Sequence, residues 1–170
     1  FVADAIKDSC RPIIIAGNGV RFSNTTDTLR RLGKNLRIPI TTVWNSHDLI
    51  SNDHISFCGR SGSDGDRAGN FSVQNADLIL ILGARMAIRQ VGFNHQSFGR
   101  CAKKIMVDVD LAELEKKNLN IDHKLQYDLR SFLPNLEKCF FGHEAKSTHK
   151  EYLSWCREKV KKYPVVLPHH

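Results

Sequence analysis

What the chain lacks narrows its class first. It has no apolar run beyond strand length: the longest, Pro12–Ala16 and Leu78–Leu82, fall far short of a membrane span. It has no CxxC pair. Its five cysteines, at 10, 58, 101, 139 and 156, are an odd count at spacings that suit no zinc module, so reduced thiols in a cytoplasmic protein are expected. There is no internal repeat and no low-complexity stretch, and 41% hydrophobic with 25% charged residues excludes a disordered or collagen-like chain. No Gly-x-Ser-x-Gly elbow occurs, and no Cys/His pair stands out as nucleophile and base. The histidines at 47, 54, 95, 123, 143 and 149 are scattered without ligand spacing.

Acidic charge is also short. Eighteen Asp and Glu face 25 Lys and Arg, a net charge of +7, of which seven basic and three acidic residues between 138 and 162 supply +4. These residues follow a helical pattern and lack the interleaved aromatic or groove-reading partners of a nucleic-acid surface. A solvated helix face is expected, with no nucleic-acid and no membrane partner. The 170 residues fit one compact domain, or one domain plus a tail. The chain opens on Phe1 rather than Met and shows no charged-then-apolar leader, so a cut domain or a processed chain is expected. The closing Leu167-Pro168-His169-His170 reads as a terminal addition, and its two histidines are left out of site reasoning.

What is present alternates between two periods. Pro12–Ala16 and Leu78–Leu82 are continuous apolar, β-branched or leucine runs, the pattern of strands buried on both faces. Residues 38–43 and 104–109 read as two more strands, and 124–127 as a short one. Helices are expected over residues 2–9, after a cap at Ser23, Asn24 or Thr25, over 65–75, 112–117, 131–140 and 151–162. Residues 44–64 read as a long polar connection. The last helix has a narrow apolar stripe, Leu153, Cys156 and Val160, and a Lys-rich opposite face, so weak packing and mobility are expected. Apolar strands alternating with amphipathic helices imply an α/β fold: a Rossmann-like parallel sheet of six or nearly six strands with helices on both faces.

In such a fold ligands lie at the carboxyl ends of the strands. That edge would carry residues 17–20, 43–47, 83–89 and 108–110. The turn Gly17-Asn18-Gly19 approaches a dinucleotide fingerprint, but Phe22 stands where the third glycine would be, and the second strand ends without a ribose-binding acid. Two readings stay open: a backbone that admits an anion at the next helix's positive end, or a plain tight turn. Gly59, Gly62 and Gly65 precede a helix, and Asp64 and Asp66 make that turn less hospitable to anions than the first, so a flexible loop with an Asp cap is expected there. Arg85 and Arg89 follow Gly83 at a strand end, where they could bind phosphate or lie on the surface. Asp108 and Asp110, two apart, suit a ribose acceptor or a helix cap better than a metal site.

Longer segments carry a family likeness. Residues 11–20, then Ile38-Pro39-Ile40-Thr41-Thr42, resemble the middle domain of thiamine-diphosphate-dependent enzymes, nearest the acetolactate synthase group. The most specific stretch runs from Gly59 to Arg85, with spaced glycines, Ala-x-Asn, Val-Gln-x-Ala-Asp-Leu and Leu-Gly-x-Arg; residues 107–114 match the next strand and turn. Tyr127-Asp128-Leu129 stands where the family has Gly-Asp-Ala, and Trp155, Tyr163 and Pro164 resemble its linker to a third domain.

The resemblance implies the sheet type shared with deoxyhypusine synthase. It implies a central domain over residues 1–142 and a linker and helix over 143–170. The parent would be a thiamine-diphosphate- and magnesium-dependent lyase or carboligase acting on a 2-keto acid. Its flanking N- and C-terminal domains would hold that cofactor, and it would assemble as a homo-oligomer. The chain alone would be inactive, because Asp64-Gly65-Asp66 is not the family's Gly-Asp-Gly. The family's middle domain holds FAD, ADP or nothing. By resemblance the nucleotide would lie against Gly17, Asn18, Gly19, Trp44, Asp64, Gly65, Gly83, Arg85, Arg89, Asp108 and Asp128. Gly17-Asn18-Gly19 replaces the family's three glycines, Trp44-Asn45 its flavin-lining Leu-Met, and Asp64-Gly65 its His-Gly. Met86-Ala87-Ile88-Arg89 retains only the arginine of Phe-Asp-Asp-Arg. These departures argue against full FAD binding. Two alternatives remain: a scaffold whose nucleotide site is lost, and an NAD-using enzyme on the fold related to sirtuins and deoxyhypusine synthase.

Overall fold

The computed structural model describes residues 1–117 and 119–166; the closing segment with His169 and His170 lies outside the described residues. The elements follow in the order α1 (Val2–Asp8), β1 (Pro12–Ala16), α2 (Asn18–Phe22), α3 (Thr26–Leu36), β2 (Ile40–Thr42), α4 (Arg67–Gln74), β3 (Leu78–Leu82), α5 (Ile88–Val91), β4 (Lys103–Asp108), α6 (Leu111–Leu114), β5 (His123–Gln126), α7 (Leu129–Lys138) and α8 (Ser147–Lys162). Five strands, all parallel, form one sheet in the order β2-β1-β3-β4-β5.

Each central strand feeds two cores. Ile14, Ala16, Leu80, Leu82, Ile105 and Val107 pack with Val2, Ile6, Leu29, Leu32, Leu36, Leu133 and Leu136 of α1, α3 and α7. The alternate residues Ile13, Ile15, Ile79, Ile81 and Met106 pack with Val73, Tyr152 and Cys156 of α4 and α8. All five positions of β1 and of β3 are therefore buried, and their sequences show no polar alternation.

The sheet has five strands where six or nearly six were expected. The outer edge of β2 is covered by a single parallel bridge between Ile40 and Phe57, where Ile40 donates to the Ser56 carbonyl (2.7 Å) and Cys58 donates to Ile40 (3.3 Å). The segment read as a polar connection thus shields a sheet edge that would otherwise be free to pair.

The weak packing expected of the last helix is corrected too. α8 starts four residues earlier than expected, at Ser147, and buries His149, Tyr152, Leu153 and Cys156. The Tyr152 hydroxyl donates to the Ser72 carbonyl on α4, and Arg157 donates to the carbonyls of Asn52 and Phe57, both at 3.2 Å. Lys146 reaches the Ser9 carbonyl at 2.8 Å. The stripe expected from Leu153, Cys156 and Val160 is widened by the amphipathic, buried His149 and Tyr152.

Candidate functional site

The strand registers set the site. Ala16 pairs with Thr42 and Leu82, Leu82 with Val107, and Asp108 with Gln126, so β1 and β3 end level and β4 runs one residue further. The turns that follow must pack side by side. Gly17 donates to Leu82 O at 2.9 Å and Gly19 to Gly83 O at 3.0 Å. A Cβ on Gly17 would lie 2.3 Å from Gly83 O, and one on Gly19 would lie 2.6 Å from Gly83 Cα. These glycines serve turn-on-turn packing. The N–H of Val20 is bonded to Gly17 O, so two of the donors at the start of the five-residue α2 are already used. Asn18 accepts from Arg21, which also pairs with Asp48.

Beside these turns lies a pocket of about 170 Å³, lined by Gly19, Phe22, Gly83, Asp108, Val109 and Tyr127, with Asp128 at its rim. Phe22, Val109 and Tyr127 are exposed apolar walls, and Asp108 and Ser23 are buried polar members. Burial pushes the Asp108 carboxyl above its usual range, and the N–H of Asp110 (3.0 Å) works against that shift. Asp110 caps α6 through Ala112 N (2.9 Å), and Asp128 caps α7 through Arg130 N (2.8 Å). Among the described residues no group of three or more His, Cys, Asp or Glu could hold a metal ion.

A second group forms where β2 and β3 end. The Arg89 guanidinium lies 5.4 Å from the Trp44 ring centre and 3.6 Å from the Asp64 carboxylate. Arg85 stands apart from it, paired with Glu113 at 2.8 Å, which Lys116 also meets. Gly65 closes its loop, since a Cβ there would sit 2.3 Å from Arg60 O. The sequence reading missed a buried polar set beneath this group. Thr41 bonds Ser61 (3.2 Å), and Gln90 donates to Ser61 (2.6 Å). Three residues spread over 50 positions carry no spacing signal, and only the fold joins them. Phe22, read as a missing glycine, emerges as a pocket wall.

A parallel α/β domain with a crevice along its carboxyl edge defines a Rossmann-like class. Residues 1–136 match the family described as thiamine pyrophosphate enzyme, central domain, and the chain belongs to that family. It is 32% identical over 144 residues to the probable acetolactate synthase large subunit of Methanocaldococcus jannaschii, covering 85% of this chain and 24% of that protein. Over 129 residues it is 32% identical to the acetolactate synthase isozyme 2 large subunit of Escherichia coli (strain K12), with 75% and 23% covered. Over 167 residues it is 27% identical to the acetolactate synthase large subunit of Cyanidium caldarium, with 96% and 28% covered. The chain spans about a quarter of the length of these curated relatives. Among the described residues no helix is long and apolar enough to cross a membrane.

Proposed function

We propose that this chain is the part of an acetolactate synthase-like lyase or carboligase that binds an adenine nucleotide, FAD or ADP, across its carboxyl edge. The observation that carries this reading is the buried carboxylate of Asp108 in a pocket walled by Phe22, Val109 and Tyr127. That combination suits a nucleoside: flat apolar walls for the base, and an acceptor for a ribose hydroxyl. Arg89, exposed at the neighbouring strand end, would meet a phosphate. The amides of Gly17, Gly19 and Val20 are already bonded, which leaves most of the phosphate recognition to side chains.

Thiamine diphosphate and magnesium would supply the decarboxylating chemistry on a 2-keto acid from flanking domains of a homo-oligomeric parent. No group of three or more His, Cys, Asp or Glu among the described residues could hold a metal ion, and no step is assigned to this chain's side chains. The chain by itself would turn over no 2-keto acid.

One observation favours a second reading, a scaffold with a lost site: Asp64 already engages Arg89. Titration of the chain with ADP and with FAD separates the two. Saturable binding, weakened about tenfold or more by Asp108→Asn, supports the nucleotide reading. Absence of saturable binding of either ligand would leave the scaffold.

A further inference from the structure

The loop between β2 and α4 is fastened along α5 at three successive points. Gln90 donates to Ser61 Oγ at 2.6 Å. The N–H and hydroxyl of Ser63 both donate to the Arg89 carbonyl, at 2.7 and 3.0 Å. The next residue, Asp64, then sets its carboxylate 3.6 Å from the Arg89 guanidinium. Gly62, at φ 122°, allows this close approach, because a Cβ there would meet Arg89 O at 2.6 Å. On another side the guanidinium stacks near Trp44. Arg89 therefore has its main chain pinned by the same loop that neutralises its side chain.

We propose that Asp64 is the affinity-setting residue of the crevice, a tethered carboxylate held on Arg89 that the phosphate of an incoming nucleoside diphosphate must displace. This rests on the nucleotide reading above and deepens it. A carboxylate and a phosphate seek the same N–H donors of a guanidinium, so they compete. The Arg89 side chain is 62% exposed, open to an anion from solvent, and an ion pair this exposed is weak enough to exchange. Ser63 keeps the carboxylate near Arg89 after displacement, so release of the ligand restores the pair. Affinity is lowered without losing the arginine, and nucleosides without phosphate are unaffected.

The test is a double-mutant cycle on the 170-residue chain, titrating ADP and, separately, adenosine into wild type, Asp64→Asn, Arg89→Ala and the double variant. Asp64→Asn should tighten ADP about two- to fivefold, the range set by an exposed ion pair, and leave adenosine unchanged. The gain should vanish when Arg89 is absent. An equal gain in the Arg89→Ala background would mean a general charge effect and overturn the proposal. So would an unchanged or weaker ADP affinity in Asp64→Asn, or an equal gain for adenosine. No binding of ADP or adenosine by any variant would overturn the nucleotide reading itself, and this inference with it.

Discussion

The backbone of Gly19 is bonded to that of Gly83: the N–H of the first donates to the carbonyl of the second at 3.0 Å, and neither has room for a side chain. Two turns more than 60 residues apart are thus welded at the strand ends. Gly17→Ala should destabilise the chain by about 1–3 kcal/mol, as overpacking does. Urea denaturation would measure it, and a midpoint equal to wild type would show that the turns can separate at no cost.

The packing of α8 predicts a thiol pattern. Cys58 and Cys156 are buried at the seam between α4 and α8, whereas Cys10, Cys101 and Cys139 are exposed. Burial pushes the Cys58 thiol well above its ordinary range and Cys156 to about 11, which suppresses the reactive thiolate. A disulfide reagent should modify three thiols in the native chain and all five in denaturant. Rapid native labelling of Cys156 would mean that α8 detaches.

Asp66 accepts from Gly69 N at 2.6 Å and from Arg60 N at 2.9 Å, so it caps α4 and closes the glycine loop at once. Asp66→Ala should lose about 1–2 kcal/mol, and Asp66→Asn less, because an amide oxygen can still cap. Thermal unfolding of the two variants would check the order.

His149 gives stability a pH slope. Burial holds its pKa below 6.5, with Lys146 acting in the same direction and the Ser9 and Leu36 carbonyls and Asp77 against it. The unfolded chain then binds the proton more readily than the folded one. The stabilisation is complete above about pH 6.5 and declines as the pH falls below that value. His47 and His54 are shifted the same way by partial burial, so the comparison with a variant isolates the term. Denaturation midpoints across this range should be flatter in His149→Asn. An identical slope in the variant would assign the effect to other groups.

The sequence by itself determined the strands buried on both faces, because five consecutive apolar residues alternating with amphipathic helical segments are satisfied between two helical layers. Pro12–Ala16 and Leu78–Leu82 are the observed limits of β1 and β3. It determined the family as well, since the motif from Gly59 to Arg85 is local and dense. Helix starts were less legible. The Asp cap expected at the glycine loop is Asp66, whereas Asp128 is a common surface acid until the Arg130 N–H stands within reach. Only the tertiary structure decided what the candidate site residues touch. Gly17 and Gly19 read equally as an anion turn or a tight turn, and Gly83 packs against them; Arg85 reads as a phosphate partner or a surface residue, and Glu113 meets it; Asp64 and Arg89 form a pair across 25 positions. Such contacts depend on the register of neighbouring strands and on the path of loops between them. Periodicity reports which face of an element is buried, and it holds no information about what another element brings to that face.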